Sequence, residues 1–121
     1  MQRIAINVPY PDGALLQNSR KHWTVKGGVA SEARMVARSN AQKAMGTHRW
    51  TPAPLRGEAY IWPPDKRRRD TLNAAAALKP SIDGIFDALG VDDELIREWK
   101  VVRGNPRPGG FIIIVIEEIP A

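Results

Sequence analysis

Six apolar residues run without interruption from Phe111 to Ile116, with Gly109-Gly110 before them and Glu117-Glu118 after them. The run is far shorter than the ~18 residues that would suggest a membrane span. Such a run predicts a central strand of a sheet, covered on both faces. A central strand needs neighbours, and the rest of the chain provides them. Residues 3 to 8 alternate, with Ile4, Ile6 and Val8 on one side and Arg3, Ala5 and Asn7 on the other. That period of two predicts a half-buried strand, ended by Pro9 and Pro11. Leu55 to Trp62 reads as a second strand, with Ala59 and Ile61 on one face and Glu58, Tyr60 and Trp62 on the other. Ile96 to Arg103 reads as a third, followed by a Pro/Gly turn from Gly104 to Gly110.

The intervening segments read as one long loop and two helices. Residues 12 to 28 carry Asp12-Gly13, Asn18, Ser19 and Gly27-Gly28, which predict a loop. From Ser31 to about Met45, Val29, Ala33, Val36, Ala37, Ala41 and Ala44 recur at helical spacing. Ser31 is placed as an N-cap and Gly46 as the stop. The alanine-rich stretch from Asn73 continues to Leu89 and predicts a second helix, closed by Gly90. Pro80 lies inside it, removes one intrahelical hydrogen bond and should kink or divide it. Asp92-Asp93-Glu94 then forms an acidic turn. The order is strand, helix, strand, helix, strand, strand. It predicts a single α+β domain over residues 1–121, a small mixed β-sheet with two main helices packed on it.

Charge and composition narrow the chemistry. Eighteen Lys and Arg against thirteen Asp and Glu leave the 121-residue chain at +5. An excess of this sign suits a polyanionic partner, although it also simply favours solubility. The absence of cysteine excludes a disulfide scaffold, a thiolate zinc site, an iron–sulfur cluster and a cysteine nucleophile. Two histidines, His22 and His48, leave little for a histidine-based metal site. The amino terminus turns polar too soon for a secretory signal, so a cytoplasmic location without membrane contact is expected.

The densest chemistry lies in the middle of the chain. Lys66, Arg67, Arg68 and Arg69 stand in a row between Asp65 and Asp70, at a predicted strand-to-helix junction. Solvated charge runs are common, but this one leads straight into carboxylates. Cations beside acids suit a phosphodiester: the cations hold phosphates, and the acids hold a divalent ion that neutralises charge and activates water. Asp70 and Asn73 are three apart and share a helix face, as do Asp83 and Asp87, four apart. With Asp92 and Asp93, five aspartates fall within 24 residues. Oxygen ligands alone suit Mg²⁺ or Mn²⁺ rather than zinc. Each aspartate taken singly also fits an ordinary exposed position.

The stretch Pro63-Pro64-Asp65-Lys66-Arg67-Arg68-Arg69-Asp70, followed by Asn73, Lys79, Asp83-Gly84 and Asp92-Asp93, resembles the RusA family of Holliday-junction resolvases. Val8-Pro9-Tyr10-Pro11 is similar to that family's first strand and proline turn. Asn18-Ser19-Arg20-Lys21-His22-Trp23 is similar to its Asn-rich basic loop, and Gly109-Gly110 with Phe111 to Ile116 to its last strand. The likeness covers nearly the whole chain, and its central motif is the specific part. It implies a RusA-like fold and a Mg²⁺-dependent homodimeric endonuclease of bacteria or phages. Such an enzyme nicks two opposed strands of a four-way DNA junction in recombination and repair. By position, Asp70 is implied as the first metal-binding carboxylate. Asp93 is the acid after the helix, with Asp92 as the alternative by one register, and Asp83 lies in support. Lys79 matches the lysine at the scissile phosphate. Lys66 to Arg69, Asn73, Arg20, Lys21 and Trp23 are the implied DNA contacts.

Two departures from the family pattern matter. Leu72 stands where the Asp-x-Asp-Asn motif has its second acid, so the chain reads Asp70-Thr71-Leu72-Asn73. The stretch from Asp70 to Lys79 is also about three residues longer, roughly one helical turn. A site short of one anion holds a divalent cation more weakly unless another oxygen replaces it. Two readings therefore stand: an active junction resolvase, and a catalytically weakened or inactive junction-binding protein. Trp62 could stack on exposed bases or pack as most tryptophans do, and Arg103 and Arg107, flanking an expected hairpin turn, could be surface charge.

Overall fold

A computed structural model defines the fold. It describes residues 1–11, 23–66 and 71–120, with the backbone alone described at 23–26 and 71–72. The elements are β1 (Arg3–Val8), α1 (Trp23–Met45), β2 (Leu55–Trp62), α2 (Thr71–Ala76), α3 (Lys79–Leu89), β3 (Ile96–Arg103) and β4 (Phe111–Glu118). A short 3₁₀ turn, Asp93–Leu95, precedes β3 and is the predicted acidic turn. The α+β class and the order of elements are those expected from the sequence.

One mixed sheet runs in the order β1-β4-β2-β3. β4 pairs antiparallel with both β1 and β2, while β2 and β3 are parallel. A parallel pair needs a long crossover, and α2 and α3 provide it. β3 and β4 are therefore not a hairpin. Their connection passes across the end of β2, where the Gly104 N–H donates to the Ile61 carbonyl at 2.8 Å and the Arg107 N–H to the Pro63 carbonyl at 2.7 Å. The expected hairpin turn is corrected accordingly; sequence adjacency favours hairpins, but β2 is inserted between the two strands.

Ile112, Ile114 and Ile116 of β4 are wholly buried. They join Ile4, Ile6 and Val8 of β1 and Leu55, Ala59 and Ile61 of β2 in one core with Ala37 and Ala41 of α1 and Ile85, Phe86 and Leu89 of α3. All the strand residues in this core share one side of the sheet. The expectation that β4 is covered on both faces is corrected. Its other face carries Phe111 and Ile113, both half-buried, and Val115, which is buried outside the helix-packed core. Among the described residues, the helices pack on one face only. β4 also continues two residues beyond the apolar run, because Glu117 pairs with Arg3 and Arg56 across the ladder.

α1 begins at Trp23, eight residues before the expected N-cap at Ser31, so residues 23–28 are helical rather than loop. Val25, four before Val29, continues the spacing of the helix. Gly27 and Gly28 weaken a helix by roughly 0.5–1 kcal/mol each relative to alanine. Packing of a long helix against β1 and α3 offsets that loss. Gly46 stops α1 as predicted, with φ at 58°.

Pro80 divides the second helix as expected. The break falls at Ala77-Leu78, and Pro80 sits in the first turn of α3, where its missing N–H has no intrahelical role. α1 and α3 approach closely at Gly84, where an added Cβ would lie 2.1 Å from the Arg34 carbonyl oxygen. Small residues at the contact, Ala37 and Ala41 on one side and Gly84 on the other, let the backbones meet.

Candidate functional site

The start of α3 gathers the site. Lys79 is its first residue, and Asp83 lies one turn on, so helix geometry alone brings the two together. The Lys79 ammonium donates to Asp83 Oδ1 at 2.8 Å and to Asp93 Oδ2 at 3.0 Å. Asp93 arrives from beyond the far end of α3. Gly90 ends the helix in the left-handed conformation, its N–H bonded to the Phe86 carbonyl, and the chain turns back. Asp92 then caps the 3₁₀ turn by accepting from the Glu94 N–H at 2.9 Å. The cap occupies the Asp92 carboxylate and leaves Asp93 as the acid of the pair that faces Lys79.

The electrostatics follow from this contact. Donating hydrogen bonds to Asp83 and Asp93 favours the charged ammonium and raises the Lys79 pKa. The Lys79 hydrogen bond favours the carboxylate and holds Asp93 below its ordinary range. The cluster lies on an open surface, with side-chain exposures of 62% for Lys79, 28% for Asp83 and 42% for Asp93. An apolar cleft of about 240 Å³ lies between the end of β1, α1 and the α2–α3 junction, and among the described residues lining it Glu32 alone is charged. Lys79, Asp83 and Asp93 are not among the described residues that line that cleft.

The other implied residues are distributed as follows. Lys66 is exposed just after β2. Asn73 is half-buried in α2. Arg20, Lys21, Arg67, Arg68, Arg69 and Asp70 lie outside the described residues, and Trp23 is described by its backbone alone, at the start of α1 rather than in a loop. Asp83 and Asp87 share a face in sequence but not a partner. Asp87 takes a two-pronged bond from Arg34 of α1, at 2.6 and 2.8 Å, which lowers its pKa and ties the two helices.

Carboxylate oxygens are the donors a hard divalent ion takes, but here they converge on the Lys79 ammonium, itself a cation. Among the described residues, no three His, Asp or Glu side chains form a group that could hold a metal. Asp83 and Asp93 supply two carboxylates, and both are bonded to Lys79.

One grouping was not legible in the sequence. Tyr60 and Trp62 stack on the open face of the sheet with ring centroids 6.4 Å apart, and Phe111 follows at 5.5 Å from Trp62. The Arg107 guanidinium lies 4.4 Å from the centre of the Phe111 ring. The alternation along β2 put Tyr60 and Trp62 on one face. Only the pairing of Trp62 with Phe111 across β2 and β4 completes the row.

Fold and site together define an α+β domain with a lysine–carboxylate cluster exposed beside its crossover helices. No family model matches the chain. It is similar to an uncharacterized protein of Xylella fastidiosa (strain Temecula1 / ATCC 700964), with 32% identity over 124 aligned residues that take in 98% of this chain and 78% of the relative. The chain belongs to the family of that protein. No helix among the described residues is long and apolar enough to cross a membrane.

Proposed function

We propose that this chain is a divalent-metal-dependent endonuclease that resolves four-way DNA junctions, in recombination and repair in a bacterial or phage-infected cytoplasm. The observation that carries the reading is the Lys79 ammonium held between Asp83 and Asp93, at 2.8 and 3.0 Å. Residues far apart in the family-like motif converge there. Asp70 and Asp93 would hold Mg²⁺ or Mn²⁺, with Asp83 or Asp92 in support. Such an ion, when bound, offsets phosphate charge and makes water a better nucleophile. Lys79 would bind a phosphate oxygen and stabilise charge that develops on it. Lys66 to Arg69, with Arg20 and Lys21, grip the backbone, and Asn73 and Trp23 add contacts. A homodimer would present two such sites to a substrate of near two-fold symmetry, which suits paired nicks.

Leu72 favours a second reading, a junction-binding protein that cuts weakly or not at all. One experiment separates the two. A labelled immobile four-way junction is incubated with Mg²⁺, Mn²⁺ or EDTA beside a linear duplex of matching sequence. Paired, metal-dependent nicks in the junction alone support the resolvase. Tight junction binding without cleavage in any metal supports the binder. Absence of both overturns the nucleic-acid reading.

A further inference from the structure

The open face of the sheet is not uniform. At one end, Arg3 and Arg56 both pair with Glu117, so the charges there are satisfied within the chain. At the other end lies the row Tyr60, Trp62 and Phe111, flanked by Arg107. Trp62 is fixed in place. The chain crossing the end of β2 puts Gly104 beneath its indole, where an added Cβ would fall 2.3 Å from Nε1. The ring therefore lies against bare backbone on one side. The Tyr60 hydroxyl is held by Glu58, which fixes the neighbouring ring.

We infer that Tyr60, Trp62 and Phe111 form a stacking platform for unpaired bases of a nucleic-acid strand. The charge of the surroundings selects this occupant. Arg107, exposed, lies against Phe111, and Lys66 is exposed a short way beyond Trp62. Lys66 is four residues beyond Trp62, at most ~14 Å of chain, and leads directly into Arg67-Arg68-Arg69. A base on the platform would bring its phosphates toward Lys66 and Arg107, and aromatic rings take any base because every base has a π-face. The inference rests on the nucleic-acid reading above and deepens it: splayed bases at a branch point are the ligand, and duplex is not.

The test uses the full chain and a four-way junction carrying 2-aminopurine at the branch point, with a linear duplex of equal length beside it. Loss of one stacked base predicts about tenfold weaker junction binding for Trp62→Ala, with little change for Trp62→Phe and no change on duplex. Wild-type protein should alter the aminopurine fluorescence, and Trp62→Ala should not. In a second measurement, 5-iodouracil at the branch point is photocrosslinked to wild-type protein and the adduct mapped; Trp62, Tyr60 or Phe111 is expected, even if Trp62→Ala does not fold. Unchanged binding and fluorescence in Trp62→Ala, or crosslinks confined to other residues, overturn the platform while leaving the nuclease reading intact. Conversion of a dimer to a monomer by Trp62→Ala, with DNA binding unchanged, assigns the face to a second copy and also overturns it. Failure of wild-type protein to bind either DNA overturns the nuclease reading and the platform with it.

Discussion

Lys79 and Asp93 are fourteen positions apart in the chain, and their side chains meet at 3.0 Å. The contact closes the turn after α3 back onto the helix start, and it has a defined pH window. The Asp93 carboxyl is held below its ordinary value of 3.8, so its contribution to stability is present above that value and is lost as pH falls through the folded-state pKa. The Lys79 pKa is raised above 10.5, so its contribution is present below that value and is lost as pH rises through the folded-state pKa. The pair therefore persists from mildly acid to mildly alkaline solution. In Lys79→Met, the Asp93 midpoint should move up toward 3.8, as read by carboxyl-carbon NMR. An unmoved midpoint would show that the contact is not populated in solution.

Two glycine substitutions should act in opposite directions. At Gly84 the obstacle is backbone, with the Arg34 oxygen 2.1 Å and the Arg38 nitrogen 3.0 Å from an added Cβ, so α1 and α3 must separate. Overpacking of this kind costs about 1–3 kcal/mol, more than the roughly 0.5–1 kcal/mol that alanine gains over glycine within a helix. Gly84→Ala should lower the melting temperature. At Gly28 a Cβ meets nothing within 4 Å, so Gly28→Ala should raise it. Thermal unfolding of the two variants checks both signs.

These glycines also mark where sequence reading succeeded and failed. The alternation Ile4-Ile6-Val8 has the period of a strand with one buried face, and that is its burial. Pro80 divided the second helix as its missing N–H requires. Gly27-Gly28 misled because local propensity says loop, whereas α1 is held by tertiary contacts that propensity does not contain. The hairpin expected between β3 and β4 failed for a related reason: strand order depends on which edges pair, and nothing local records that β2 lies between them. At the site, the i,i+4 relation of Lys79 and Asp83 could be read from spacing. The contact of Asp93 with Lys79 depends on the turn that Asp92 caps, and the divergence of Asp87 to Arg34 on the position of α1.

Among the described residues the helices cover β4 on one face, which predicts a contrast between adjacent isoleucines. Ile114 is wholly buried beneath the helices, and truncation to alanine should cost about 2–5 kcal/mol. Ile113, half-buried on the open face, loses less contact, and Ile113→Ala should cost clearly less. Denaturant unfolding of both variants measures the difference. Equal losses would mean that a second layer covers the open face in solution.

Leu72 offers the sharpest test of the proposed chemistry. In the chain Asp70-Thr71-Leu72-Asn73, the motif that this stretch resembles has a carboxylate at the third place. If the proposed site is short of that one anion, Leu72→Asp should tighten Mn²⁺ binding and increase metal-dependent nicking of a four-way junction. Asp70→Asn should do the reverse for metal and cutting while leaving junction binding intact, because backbone grip is assigned to Lys66 to Arg69 rather than to the acid. Calorimetric Mn²⁺ titration and a nicking assay on the same preparations separate the two effects. Tighter metal binding without a gain in cutting would place the deficit elsewhere than in the number of carboxylates. Loss of junction binding along with cutting in Asp70→Asn would remove Asp70 from the chemistry altogether.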